Sequence, residues 1–211
     1  QAGDPAQAVA LYERYIEQDT LLAAYAQREI GAAYDALKQP DKAIAGYEAA
    51  LAAGLPDDAA QASRRAIAQL ASGQRKYDVA TTWWEGYLAN ARSANQRGLA
   101  HYSTALIRQE TGDSAGAAET FRQLVRDFGD TWYGLQALQA LLAAGAEPPL
   151  LELANVYFAN RQNEQAVAAY ERYLTSSSEG ASAALARYRL AILHQRLGKL
   201  ELALQLYDEV H

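Results

Sequence analysis

Apolar residues recur along this chain at intervals of three and four, the period of a helix with one buried face. Ala8, Leu11, Tyr12 and Tyr15 share such a face in 1–22. Ile30, Gly31 and Tyr34, then Ala43, Tyr47 and Ala50, do so in 24–57. The spacing returns at Ile67, Ala80, Trp84 and Tyr87 in 61–94, and at Ala105, Ala117, Phe121 and Leu124 in 98–131. It returns again at Leu153, Ala154, Tyr157, Ala166 and Tyr170 in 147–180, and at Leu190, Ala191, Ala203 and Tyr207 in 184–211. Glycine, proline and short polar residues separate these stretches: Gly3-Asp4-Pro5, Gln39-Pro40-Asp41, Gly54-Leu55-Pro56, Ser72-Gly73-Gln74, Thr111-Gly112-Asp113 and Glu147-Pro148-Pro149. Each unit therefore reads as two helices around a turn, and 1–22 holds only the second helix of its pair. No β-branched run of strand length interrupts the pattern, so the class is all-α.

The small residue of each second helix sets the phase. Ala8, Ala43, Ala80, Ala117, Ala166 and Ala203 are separated by 35, 37, 37, 49 and 37 residues. An alanine at a helix crossing lets two backbones approach, and the large residue four positions later fills the space beside it. The single long step equals an ordinary one plus about a dozen residues. Those residues are an extra apolar helix, 132–145, without a partner of its own. The expected architecture is one array over 1–211, a right-handed α-solenoid of antiparallel helix pairs.

The segments QPDKAIAGYEAAL, TGDSAGAAETFRQL and LGKLELALQLYDEV resemble tetratricopeptide-type repeats over nearly the whole chain. The usual Trp-Leu-Gly start is replaced by Gln27-Ile30-Gly31, His101-Thr104-Ala105 and Arg187-Leu190-Ala191. The resemblance implies a superhelix whose first helices line a concave binding surface. A narrower resemblance lies in FRQLVRDFGDTWYGLQALQALL, residues 121–142, which is similar to the helical, non-catalytic region of soluble lytic transglycosylases. It implies a bacterial cell-envelope protein acting on peptidoglycan, with its catalytic domain beyond this chain. ALIRQET, 105–111, is similar to the segment of that catalytic domain carrying the acid glutamate, which would make Glu110 the general acid. Thr111 stands where that segment has serine, and no Gly-Leu-Met-Gln follows. Glu110 therefore reads as a helix end before the Gly112-Asp113 turn.

Composition narrows the function classes. Nineteen basic against 25 acidic residues, scattered rather than clustered, give a net charge of −6, unsuited to nucleic acid. No apolar run reaches the ~20 residues that a membrane span needs. Cysteine is absent, which removes disulfides, thiol nucleophiles and thiolate metal sites. His101, His194 and His211 lie far apart, no nucleophile–base constellation is legible, and no metal or cofactor is expected. The chain starts inside one unit and stops inside another, as a processed product or the ordered part of something longer would.

Chemistry is then expected in the groove. The repeat phase turns Tyr25, Arg28, Asp35, Arg65, Gln69, Tyr102, Gln109, Asn155, Tyr188 and Gln195 inward, a mixture suited to peptide or glycan recognition. Trp83 beside Trp84 cannot share its core face, so one of the two is an edge contact. The leading expectation is a non-catalytic scaffold holding a protein or peptide partner. The alternatives are a transglycosylase superhelix placing a peptidoglycan-cleaving domain, and a structural subunit of a larger assembly. A cell-envelope location and self-association through the exposed end repeats accompany these readings.

Overall fold

A computed structural model describes residues 4–18 and 22–210; Gly3 of the expected opening turn, the Gln1 end and His211 lie outside them. The described residues form twelve α-helices and no strand. The chain divides into two compact units, Gln1–Arg92 and Ser93–His211.

The first unit contains α1 (Pro5–Gln18), α2 (Ala23–Ala36), α3 (Pro40–Ala52), α4 (Asp57–Gly73) and α5 (Tyr77–Ala89), each packed on the next through α1–α2, α2–α3, α3–α4 and α4–α5. Asp4 caps α1 by accepting from the Ala6 N–H at 2.9 Å, with Pro5 in the first helical position. The helix expected from Gln61 begins four residues earlier, at Asp57. Pro56 is extended, its carbonyl accepts from the Ala60 N–H at 2.8 Å, and two carboxylates, Asp57 and Asp58, occupy the positive end of the helix.

The tightest approach is between α2 and α3. A Cβ placed on Gly46 would lie 2.7 Å from the Gly31 nitrogen and 2.8 Å from its Cα, so these helices meet backbone to backbone. The Tyr47 ring covers the crossing, 3.0 Å from where a Gly31 Cβ would stand.

The second unit contains α6 (Ala94–Glu110), α7 (Ser114–Phe128), α8 (Trp132–Ala143), α9 (Leu150–Ala159), α10 (Asn163–Ser176), α11 (Ala181–Arg196) and α12 (Leu200–Asp208). The extra helix α8 is not an outlier. It packs on α6, α7 and α9 and places Ala137, Leu138 and Leu141 in the same core as Phe121, Leu124, Val156 and Tyr170. Glycine admits it, since a Cβ on Gly134 would stand 2.2 Å from the Phe128 carbonyl oxygen. The buried Thr131 hydroxyl accepts from the Gly134 N–H at 3.2 Å and donates to that carbonyl at 2.7 Å, fixing the corner between α7 and α8. Two other starts move. α6 opens at Ala94, not Gly98, because Ser93 and Gln96 form a reciprocal capping box. α11 opens at Ala181, directly after Gly180.

The alanine phase has a physical counterpart. Ala43, Ala80, Ala117, Ala166 and Ala203 are all buried, and Ala8 is half-buried. The first helices bury Gly31, Ala68, Ala105, Ala154 and Ala191 at the same steps of 37, 37, 49 and 37. The turns between paired helices keep this phase too. Lys38, Arg75, Gly112, Arg161 and Gly198 all have positive φ, between 58° and 86°. In each turn the following N–H donates to the carbonyl five residues back: Gln39 to Tyr34, Lys76 to Ala71, Asp113 to Arg108, Gln162 to Tyr157 and Lys199 to His194, at 2.8–2.9 Å. This is the Schellman closure, and it holds three long side chains in a backbone region that costs a non-glycine residue about 1–2 kcal/mol.

Two glycine substitutions separate packing from propensity. Gly46→Ala should destabilise the first unit by about 1–3 kcal/mol, because the α2 backbone cannot withdraw from the new methyl. Gly86→Ala, in α5 with open space around it, should stabilise by about 0.5–1 kcal/mol. Urea unfolding of the two variants checks both signs.

Candidate functional site

In the second unit, the C-terminal end of α7 and the facing sides of α9 and α11 enclose a cavity of about 510 Å³. Its wall includes Asp130, Glu152, Asn155, Phe158 and Arg189. Asn155, on α9, is the hub. Its Oδ1 accepts from the Tyr170 hydroxyl at 2.7 Å and from the Arg189 guanidinium. With both acceptor sites of that oxygen engaged, the amide is oriented and Nδ2 remains a donor. Burial pushes the Tyr170 hydroxyl above the ordinary phenol range while Arg189 opposes that shift, so the hydroxyl stays protonated and donating at neutral pH. Arg189 and Arg196, two turns apart on α11, lie 5.5 and 4.7 Å from the centre of the Phe158 ring. The stacking pins the guanidinium of Arg189 over an apolar surface. Nearby, Arg126 pairs with Asp127 at 3.4 Å.

The other residues expected to turn inward separate into several places. Asp35 and Gln69 line one cavity of about 400 Å³ in the first unit, with Lys38, Leu70 and Gln74. Arg28 pairs with Glu29 at 2.6 Å and lies 6.0 Å from the Tyr25 ring centre. Tyr25 itself is exposed on α2, and Arg65 and Gln109 are exposed on α4 and α6. Tyr102 is half-buried in an aromatic cluster, its ring centre 5.9 Å from Phe121 and 6.0 Å from both Trp132 and Tyr133. Tyr188 and Gln195 meet through Tyr207, whose ring lies 5.8 Å from Tyr188 and whose hydroxyl donates to Gln195 at 3.2 Å. Trp84 is buried, edge-on to Tyr87 at 5.6 Å, whereas Trp83 is half-buried against Ala43, Tyr47 and Ile67.

The phase reading missed Arg189. It named Tyr188 one residue earlier, although Arg189 stands 37 residues after Glu152 and so occupies the same repeat position. Tyr170 was legible only as a core ring; its second role, donating to Asn155, depends on which residue the neighbouring helix brings to its hydroxyl.

Glu110 ends α6 at an exposed position, as the turn at Gly112 implied. Among the described residues, no group of three or more His, Cys, Asp or Glu is placed to hold a metal ion. No described helix is long and apolar enough to cross a membrane. His194 is buried on α11, which turns it inward with Leu190 and Leu193. His101 is half-buried, its ring 5.7 Å from that of Phe128.

Comparison with known families gives three matches, each described as a tetratricopeptide repeat: one over residues 23–83, one over 99–131 and one over 151–210. No curated protein sequence matches the chain. Among solved structures, it is similar to YrrB, a TPR protein described as having an unusual peptide-binding site, at 14% identity over 94% of this chain and 90% of that one, with a TM-score of 0.41. It is also similar to a putative kinesin light chain with nearly identical TPR-like repeats from Podosopora anserina, at 22% identity over 90% and 93%, TM-score 0.41. A third is BtubC (BKLC) from P. vanneervenii, at 16% identity over 98% and 86%, TM-score 0.39.

The environment of His101 predicts an acid sensitivity. Burial holds its imidazole below the usual histidine value of 6.5, with Asp127 partly opposing. Between the two values the unfolded chain binds more protons, so this contribution to stability is lost as pH falls below about 6.5. The melting temperature should therefore drop more steeply from pH 7 to pH 5 in the parent than in His101→Phe, which keeps a ring against Phe128. Parallel slopes would remove the assignment.

Proposed function

We propose that this chain, a protein of tetratricopeptide-type repeats, is a non-catalytic scaffold that holds an extended peptide segment of a protein partner in the cavity between α7, α9 and α11. The observation that carries the reading is the Asn155 amide, whose oxygen is taken by Tyr170 and Arg189 and whose nitrogen is left as a donor beside the cavity. A peptide backbone offers a carbonyl acceptor at every residue, so one oriented donor recognises any extended segment, whatever its side chains. Phe158 supplies apolar wall for a side chain, and Asp130, Glu152 and Arg189 supply charges of both signs at the rim. A cavity of about 510 Å³ is the size of an ordinary small-ligand site, enough for a few residues of a longer peptide. An oriented amide, an aromatic face and charges of both signs support holding a segment along this wall.

The test is an array of degenerate peptides about a dozen residues long, read by fluorescence anisotropy for the sequences retained. Asn155→Leu should weaken the retained peptides about tenfold, the loss of one net hydrogen bond plus an unpaired partner, at roughly 1.5 kcal/mol. Its melting temperature reports separately on the Tyr170 and Arg189 contacts. Unchanged peptide affinity in Asn155→Leu would sink the site. Retention on purified peptidoglycan with no peptide retained would replace the peptide reading with a glycan one.

A further inference from the structure

The cavity of about 400 Å³ in the first unit contains a charge that the fold leaves unanswered. Asp35 stands in the last turn of α2, the negative end of the helix dipole, where a carboxylate is unfavourable. It is half-buried, yet among the described residues no ion pair or hydrogen bond reaches its carboxylate. Asp41, in the first turn of α3, shows the contrast. Its carboxylate accepts from Gln74 Nε2 at 2.8 Å and from Lys76 Nζ at 2.6 Å. The residues matching Asp35 in the other four first helices are Ser72, Gln109, Phe158 and Gln195, all uncharged, so packing there does not call for an acid. The Asp35 charge is felt by its surroundings. Burial first, then the negative charges of Asp35 and Glu29, push the Tyr47 hydroxyl above the ordinary phenol range.

The rest of the wall suits a long side chain with a cationic tip. Ala66 and Leu70, one turn apart on α4 and both half-buried, supply apolar surface together with Pro40. α4 ends in the wall at Gly73, so a second negative helix end lies there. No side chain covers that end, since a Cβ on Gly73 would meet nothing within 4 Å. Gln69 adds an exposed amide oxygen as a further acceptor. Lys38 is the one cation among these residues; it is exposed on the turn and forms no ion pair with Asp35.

We infer that this cavity is a second binding site, for the guanidinium side chain of an arginine in a partner protein, with Asp35 as its counterion. Arginine suits it better than lysine, because its planar fork engages both carboxylate oxygens and keeps N–H groups for the Gln69 oxygen. Its methylene stem lies along Ala66 and Leu70. An arginine within a chain brings the guanidinium as its only charge. A free arginine would also bring an α-ammonium, for which the wall has no second acid. The inference is independent of the peptide cavity in the second unit.

The probe is the blocked peptide Ac-Ala-Ala-Arg-Ala-Ala-NH2, titrated into the isotope-labelled full chain. The side-chain amide NMR signals of Gln69 and Gln74 should shift saturably. The same peptide with citrulline, which keeps the shape and lacks the charge, should bind at least about tenfold more weakly. Asp35→Asn, at a side chain without a partner in the chain, should keep the melting temperature and lose binding by a similar factor. Lys38→Met should bind at least as tightly as the parent, because a competing cation is gone. Asn155→Leu should bind this peptide as the parent does. Absence of saturable shifts, equal binding of the citrulline peptide, or equal binding by Asp35→Asn overturns the inference. So does weaker binding by Lys38→Met or Asn155→Leu, or tighter binding of free arginine than of the peptide.

Discussion

The constraint on which everything else rests is the distance of closest approach between paired helices. Where α2 meets α3, no atom larger than hydrogen fits between Gly31 and Gly46. The other pairs bury alanine at the repeat positions of Gly31 and Ala43, and in three of them a large ring four residues after the second alanine is buried as Tyr47 is: Trp84, Phe121 and Tyr170. Close packing of this kind cannot slide, because shifting one helix by a single residue would drive a ring into a backbone. The five Schellman turns hold the register from the other side. Each ends its helix at a fixed residue and returns the chain within two, even where that puts Lys38, Arg75 or Arg161 at positive φ. The local strain is tolerated because the turn length is dictated by the crossing.

This explains what could be read in advance and what could not. The alanine phase was legible because a crossing admits so few residue types that the same letter recurs at 37-residue steps. Helix starts were less legible, since they depend on caps and not on the buried face. Ser93 with Gln96, and Pro56 with Asp57 and Asp58, each extend a helix outward past the first core residue. Trp83 and Trp84 followed the simplest geometry, one buried and one half-buried, because neighbours on a helix point about 100° apart. The extra helix α8 looked unpartnered because pairing was judged along the chain. Gly134 and Thr131 fold it back onto α6 and α7, and a glycine chosen for close approach looks like any other glycine in a sequence.

Of the residues expected to turn inward, Asn155 lines the cavity between α7, α9 and α11, and its chemistry was not legible. The repeat position held by Glu152 and Arg189 is held by Glu29, Ala66 and Ser103 in the other units. Packing leaves that position free to vary, so its identity cannot be read from the fold. What cannot be read from one repeat is the pairing between repeats. Asn155 becomes an oriented donor only because Tyr170, on the second helix of its own pair, and Arg189, on the first helix of the next, both spend a hydrogen on its oxygen. Three residues from three helices decide which way one amide points.

The same logic separates Tyr102 from Asn155, although both sit on first helices and both were expected to face a ligand. Tyr102 meets Phe121, Tyr133 and Trp132 at ring-centre distances of about 6 Å, and Trp132 stands edge-on to Tyr133 at 5.1 Å, so the Tyr102 ring is engaged in aromatic packing. Trp132 and Tyr133 reach Tyr102 because α8 is inserted there, and a Gly98 side chain would strike Tyr133 at 3.1 Å. The insertion thus engages in packing a residue expected to face the groove. The next first helix, α9, has no such helix laid across Asn155, and its cavity stays open. A single break in regularity makes equivalent positions of two repeats unequal, which an unbroken array would not do.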